Sequence, residues 1–437
     1  MKRLYSLLYA LSIVLINPWG DSRGAIWTQP KVLVLLLIVF LNFIVLLEAQ
    51  LSRDRENQPI PKPWYLCLLL WGLFSGIGLI STLRSPAPML SLLGQEEMGD
   101  GWLYWLLIAS FSLTNSLLLR LHPEFLFPQV RGFIAGGSIL ALSMFPQVWD
   151  WRIDYTVKMG QLLQDDMLAS TIFQNQQPIG LYSHRGHAAL VLAATGTLIL
   201  ITWRRGWVSL KEMGAMLFPV IVALMLAQTR AGIAAMLGGV AWVLGRKYSR
   251  LLIPATLVGV VLVGSWTGVR SISKVSAIAR ATSGRVEMGE IALRGIQQRP
   301  ILGWGFNGFG LAYPYVRYRN WTPDILKIDS HGFVHRRPTG ERVKKEIATF
   351  KAHNLILDTM LSVGIAGFVS YAAIWGVSMG LIWRSPLSDS RAIALVYLIF
   401  ASIWFECAQF THLGWWGLSL WGWGGLGDRA PVLFNSL

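Results

Sequence analysis

The sequence predicts an all-α, polytopic membrane protein, and three observations predict it. Apolar runs of membrane length fill the chain almost end to end. Hydrophobic residues make up 54% of it and charged residues only 14%. Mean hydropathy is +0.49, more apolar surface than a soluble domain of 437 residues could hide. The runs are roughly 17–25 residues long, which suits helices rather than the shorter strands of a barrel.

About eleven to twelve transmembrane helices are expected, in order along the chain. The first three lie near 4–18, 31–48 and 64–83, and the next three near 101–120, 129–148 and 186–203. They are followed by 212–229, 231–246, 251–267, 354–383 and 392–410, and by a short Trp-rich segment near 413–427. Met1-Lys2-Arg3 before an apolar run has the look of a signal peptide, but Asn17-Pro18-Trp19-Gly20 offers no small-x-small cleavage site. The first run is therefore read as a retained span that Asn17-Pro18 ends. Cys67 and Cys407 both sit inside apolar runs and offer neither a disulfide framework nor metal-ligand spacing.

One polar stretch, 268–352, breaks the rhythm and divides the chain into an N-terminal bundle (1–267), a loop domain (268–352) and a C-terminal membrane segment (353–437). With the N-terminus in the cytoplasm, sixteen Lys and Arg fall in cytoplasmic segments and seven in the short outer loops, Lys31 among them. This asymmetry favours that orientation, and the long loop then lies outside, in the periplasm or its equivalent. That loop holds fifteen Lys/Arg against six acids. On that side of a membrane nucleic acid is excluded as a partner; anionic headgroups, a lipid-linked diphosphate or an acidic polysaccharide fit the charge.

The loop is expected to be mainly helical. Ser283-Gly284-Arg285 through Leu293-Arg294 reads as an amphipathic helix with Ser283 as N-cap, ended by Arg299-Pro300. Gly303-Trp304-Gly305-Phe306-Asn307-Gly308 matches the dinucleotide fingerprint formally, but no βαβ unit surrounds it, so it reads as a Gly/aromatic turn on the bilayer surface. Tyr313, Tyr315, Tyr318 and Trp321, interleaved with Arg317 and Arg319, read as an interfacial belt. Arg342-Val343-Lys344-Lys345-Glu346 and Lys351 read as a second basic helix, either solvated or anchored to anionic lipid.

Four positions look more pointed. Arg230 occupies a tight turn between two short spans, where a charge is costly unless it snorkels or pairs. Arg285 starts the amphipathic helix, and Arg185 lies in His184-Arg185-Gly186-His187 at the mouth of the sixth span. His353 opens a membrane helix, where an imidazole can exchange protons with substrate. Asp358 lies just over one turn beyond it, and Glu406 is an acid inside a span. Arg294 is a further candidate on the amphipathic helix. No residue set spells a metal site; the i,i+3 pair His184 and His187 lacks a third ligand.

With these residues in view, the chain resembles the O-antigen ligase and O-antigen polymerase family of bacterial envelope glycosyltransferases. Three pieces carry the resemblance: Thr229-Arg230-Ala231-Gly232; Ser283-Gly284-Arg285 through Arg299-Pro300-Ile301-Leu302-Gly303-Trp304-Gly305; and His353-Asn354 followed by Gly364 and Gly367. Leu181-Tyr182-Ser183-His184-Arg185-Gly186-His187 stands where many members carry a Gly/Asn-rich turn. The resemblance implies metal-independent, inverting glycosyl transfer without a cofactor. The donor would be a glycan on a polyprenyl diphosphate and the acceptor a lipid-linked sugar, at the periplasmic face of a bacterial inner membrane. It implies Arg230 and Arg285 on the diphosphate and His353 activating the acceptor hydroxyl.

The residues leave two other classes open. A small-anion transporter should show internal repeats and broken helices with mid-membrane polar groups, and no repeat is found. The Gly-rich eighth and ninth spans suggest close helix packing instead. A non-catalytic scaffold binding anionic glycan would not need Arg230, Arg285 and His353 to converge, whereas an enzyme would.

Overall fold

A computed structural model of the chain describes residues 1–51, 60–148, 178–245, 285–318, 323–347, 349–385 and 387–423. Its elements begin with α1 (Lys2–Val14), α2 (Gln29–Leu51), α3 (Lys62–Leu83), α4 (Pro88–Leu93), α5 (Trp102–Leu121) and α6 (Leu126–Val148). Next come α7 (Arg185–Arg204), α8 (Leu210–Leu226), α9 (Arg230–Leu244), α10 (Arg285–Gln298) and α11 (Gly308–Val316). Strands β1 (Asp324–Ile328), β2 (Gly332–Arg336) and β3 (Arg342–Glu346) precede α12 (Leu355–Trp383), α13 (Arg391–Ile403) and α14 (Thr411–Ser419). The protein is an all-α polytopic membrane protein with a small sheet. Among the described residues six helical segments are long and apolar enough to cross a membrane. Apolar helices occur at every expected span but 251–267, which lies outside the described residues, as do Ser283, Arg319, Trp321 and the end of the Trp-rich segment.

Small residues let the helices approach closely, as lipid-embedded packing requires. Gly132 and Gly136 of α6 face α1 so tightly that an added Cβ would lie 2.4 Å from the Ser6 carbonyl oxygen and 2.8 Å from that of Ala10. Gly232 and Gly239 of α9 press in the same way on Ala189 and Thr197 of α7. A buried polar network also ties distant helices. The Tyr9 hydroxyl and the Gln129 amide donate to Asn115 Oδ1, and the Asn115 amide donates to Ser419 Oγ. Lys31, expected as an orientation marker in an outer loop, is instead fully buried. Its ammonium donates to the Leu15, Trp27 and Leu181 carbonyls, so all three protons are satisfied where hydrocarbon would otherwise exclude the charge.

The last helices are broken. α13 ends at Ile403, the chain runs without helix through Trp404, Phe405 and Glu406, and α14 resumes for nine residues. Nine residues rise about 14 Å, half the hydrocarbon thickness, so α14 alone does not cross. Irregular backbone at this depth is tolerated because protein surrounds it. The Glu406 carboxylate is buried and accepts hydrogen bonds from the Tyr371 and Tyr397 hydroxyls at 2.7 and 2.6 Å.

α12 is broken too. Gly364 has φ 66° and ψ −172°, a region open essentially to glycine alone. The break frees carbonyls that the 300–308 turn then uses: Trp304 N–H donates to Leu361 O and Gly305 N–H to Ser362 O, while Ile365 N–H donates to Pro300 O. The Gly/aromatic turn therefore docks on a broken helix, with Trp304 and Phe306 buried, rather than lying on the bilayer surface. A Cβ on Gly364 would sit 2.1 Å from the Ile301 carbonyl oxygen. Gly364→Ala is expected to destabilise the fold by about 3 kcal/mol or more, read as a lowered melting temperature in detergent.

The expected second basic helix is a strand. β1, β2 and β3 form one antiparallel sheet in that order, with Arg342 opposite Arg336 and Lys344 opposite Val334. Turn chemistry decides this. Asp329 Oδ1 accepts from the His331 and Gly332 amides to close the first hairpin, and Gly340, at φ 87°, closes the second. Lys344 and Lys345 are exposed, whereas Lys351 is buried and ion-paired with Asp100.

Candidate functional site

Several helix N-termini meet at one end of the bundle. α7 begins at Arg185, α9 at Arg230, and α12 two residues after His353. His184 caps α7, its Nδ1 accepting from Gly186 N–H at 2.9 Å. Asn354 caps α12, its Oδ1 accepting from the Ile356 and Leu357 amides while its amide donates to Ser402 O. No side chain caps α9, whose preceding Thr229 donates instead to the Ala227 carbonyl, so its first-turn amides stay open to an acceptor.

Trp404, in the gap after α13, is the centre of the group. The rings of His184 and His353 lie 5.2 and 5.1 Å from its ring, and the Arg285 guanidinium sits 5.3 Å over it. His353 is also set edge-on against Phe405 at 4.9 Å. Gly186 is needed at this point, because a Cβ there would meet the indole at 2.9 Å.

His353 has φ 57°, a left-handed conformation uncommon outside glycine and a mark of over-determined, often functional, backbone. Its Nδ1 lies 3.2 Å from Lys351 O. A carbonyl only accepts, so Nδ1 carries the proton and Nε2 presents a lone pair with no partner among the described residues. His184 has the opposite tautomer, since its Nδ1 accepts from an amide. Burial first, then the nearby Arg285 and Lys351, lowers His353 to about 4 against the hydrogen bond to Lys351 O, which raises it. Burial and the Arg185, Arg23 and His353 charges lower His184 to about 4 as well. Both rings are neutral at neutral pH.

Burial lowers Arg285 from the usual arginine value, and Arg230 lowers it further. The two guanidiniums thus lie within electrostatic reach of each other. Neither they nor Arg185 has an ion pair or hydrogen-bond acceptor among the described residues. Like charges gathered without a carboxylate form a site for an anion. Among the described residues no three His, Cys, Asp or Glu side chains are placed to hold a metal ion.

The structure thus brings Arg230, Arg285 and His353 together, with Arg185 beside His184 at the same end. Arg294 stands apart: it lies two and a half turns along α10, its Nε donating back to Glu290 O. Asp358 faces inward. It lines a buried chamber with Asp100, Lys351, Glu406, Ser362 and Tyr371, and its Oδ1 accepts from Ala352 N–H at 2.7 Å. Sequence reasoning missed Trp404 and weighed His184 only as half of a metal pair. An aromatic pair set before an acid inside an apolar run was the only signal for the first, and helix-cap position the only one for the second.

Residues 214–372, which span α8 to the middle of α12 and contain Arg230, Arg285, His353 and Gly364, match the family model described as O-antigen ligase. Over that stretch the chain is similar to the O-antigen ligase family. An O-antigen ligase of Pseudomonas aeruginosa is 24% identical to it over 330 residues, 68% of this chain and 76% of that protein. The match to the O-antigen ligase model stops short of Trp404 and of His184, so it covers Arg230, Arg285 and His353 but not Arg185 or the indole against which Arg285 and His353 lie.

Proposed function

We propose that this chain transfers a glycan from a polyprenyl diphosphate carrier to a lipid-linked sugar hydroxyl at the periplasmic face, as a ligase onto a lipid-anchored core or a polymerase of repeat units. Similarity to O-antigen ligases supports a membrane glycan-transferring role in envelope polysaccharide biosynthesis. The observation that carries the finer reading is the Arg285 guanidinium, set over Trp404 and within electrostatic reach of Arg230, beside a His353 whose Nε2 is free.

In this reading the acceptor hydroxyl oxygen attacks the anomeric carbon from the face opposite the diphosphate. A new C–O bond forms, and the bond from that carbon to the phosphate oxygen breaks. The hydroxyl proton goes to His353 Nε2, the electron pair leaves with the polyprenyl diphosphate, and configuration inverts. Arg285 and Arg230 neutralise the leaving diphosphate, and guanidinium suits this because it stays charged and binds phosphate bidentately. The open first-turn amides of α9 add donors. No metal or cofactor is required, because the diphosphate already activates the donor. Helices lined with exposed apolar side chains give the prenyl chain its surroundings.

The test is transfer by purified protein in nanodiscs, with EDTA present, from a polyprenyl-diphosphate glycan to each acceptor class. Product of inverted anomeric configuration supports the reading; no transfer to either acceptor overturns it. The pH dependence is a further check. Only neutral His353 accepts a proton, so activity is lost as pH falls through its pKa, about 4 in the free protein. A bound diphosphate offsets the Arg285 field that depresses His353. The acid limb of kcat is therefore expected above that of kcat/KM. Coincident limbs at or above 6.5 would contradict the assignment of His353.

A further inference from the structure

We propose that Asp100 and Lys351, a buried ion pair far from one another in sequence, are positioning residues that hold His353 in its left-handed conformation with Nδ1 protonated. This rests on the reading of His353 as the proton acceptor.

Lys351 carries both ends of the device. Its ammonium pairs with Asp100 Oδ2, in the loop ahead of α5, and its carbonyl accepts the proton of His353 Nδ1 at 3.2 Å. Between them, Ala352 N–H donates to Asp358 Oδ1 on α12. Beyond them, Asn354 is tied to Ser402 O and to the first turn of α12. Lys351, Ala352 and Asn354 are thus each fixed by a group of another segment, and His353 between them by the Lys351 carbonyl.

A left-handed non-glycine residue costs about 1–3 kcal/mol and persists only where its surroundings over-determine it. Without the clamp, His353 would relax to negative φ and swing off Trp404 and Phe405. Stability alone does not explain the pair. A buried ion pair is often no better than an apolar pair of the same shape, so its value here is geometric. Asp100 Oδ1 and Asp358 Oδ2 are buried without partners, so the chamber is not built for maximum stability either. The charged groups that act on His353 are Arg285 from α10 and Lys351 from its own segment, and the titratable His184 at the start of α7 is neutral beside it. Lys351 therefore sets both the place of the imidazole and part of its field.

The experiment compares Asp100→Asn/Lys351→Met with wild type. The double variant removes both charges of the pair, and burial keeps the remaining Asp358 and Glu406 carboxyls of the chamber neutral, so the fold should persist; Lys351→Arg serves as the rescue control. Expected are a fall in kcat of about 10²-fold, as for a misplaced catalytic group, with KM for the lipid-linked donor unchanged. The acid limb should move up toward 6.5 as the Lys351 charge is lost. Lys351→Arg should restore both. The His353 imidazole titration, followed by NMR in the intact protein, reads the same change without activity. A folded double variant with wild-type kcat and an unmoved His353 titration overturns the proposal. If wild type transfers nothing, or His353→Ala keeps its rate, the catalytic reading has failed. The NMR titration then decides the clamp alone: an unmoved His353 overturns it, a moved one supports it.

Discussion

Purified His353→Asn is expected to lose about 10²–10⁴-fold in the rate of glycan transfer, the usual contribution of a general base, while melting close to wild type. Asparagine is the informative replacement because it tolerates the left-handed backbone at φ 57° that alanine would strain. It can also keep a donor near Lys351 O, the group that now accepts from Nδ1. What it cannot supply is a basic lone pair where Nε2 stands. The expected signature is a fall in kcat with little change in donor KM, because the proton moves only in the transition state. His353→Ala should lose at least as much rate and some stability.

The second large effect is at Arg285. Arg285→Gln is expected to lose about 10²–10³-fold in kcat, comparable with removing one preorganised donor from a developing oxyanion. Arg285→Lys should fall between Gln and wild type, since an ammonium keeps the charge but loses the planar fork and its stacking over Trp404. A second reading separates this from general damage. Arg285 lowers His353, so removing it should raise the acid limb while lowering the maximum rate. A variant that loses rate with an unmoved limb would place Arg285 away from the imidazole. Trp404→Leu should weaken both effects together, because the indole carries both the guanidinium and the ring.

Much of the architecture was legible because membrane helices must satisfy their own backbone and so declare themselves as long apolar runs. The charged site was legible for the related reason that an arginine or histidine beside an apolar run is expensive: Arg230, Arg285 and His353 stood out, and they lie together. Features set by tertiary contact were not legible. Lys31 looks like an orientation charge until three carbonyls from three segments are seen around its ammonium. Asp358 lies in the first turn of the helix that His353 precedes, yet faces the chamber behind it, because its carboxylate is used to hold Ala352. Residues 342–346 read as a basic helix by composition, but the turns on either side of β2, Asp329-Ser330-His331-Gly332 and Pro338-Thr339-Gly340, specify two hairpins. Trp404 belongs to an apolar run by composition, and only the break after Ile403 turns it into the platform of the site.

The glycine signature also acquires a physical reason. Gly303, Gly305 and Gly308 sit where a Cβ would meet the backbone of α12 or the side chains of Ser85 and Ser91, and Gly364 opens the helix to receive the turn. The loop and α12 are thereby locked into one unit, with Arg285 on one side and His353 on the other.

The most direct measurement is single-turnover transfer from a labelled polyprenyl-diphosphate glycan in nanodiscs containing EDTA, run in parallel for wild type, His353→Asn and Arg285→Gln. Labelled glycan on the acceptor with wild type, and a loss of at least about 10²-fold in both folded variants, is the result predicted here. Transfer by either folded variant at the wild-type rate would contradict the site.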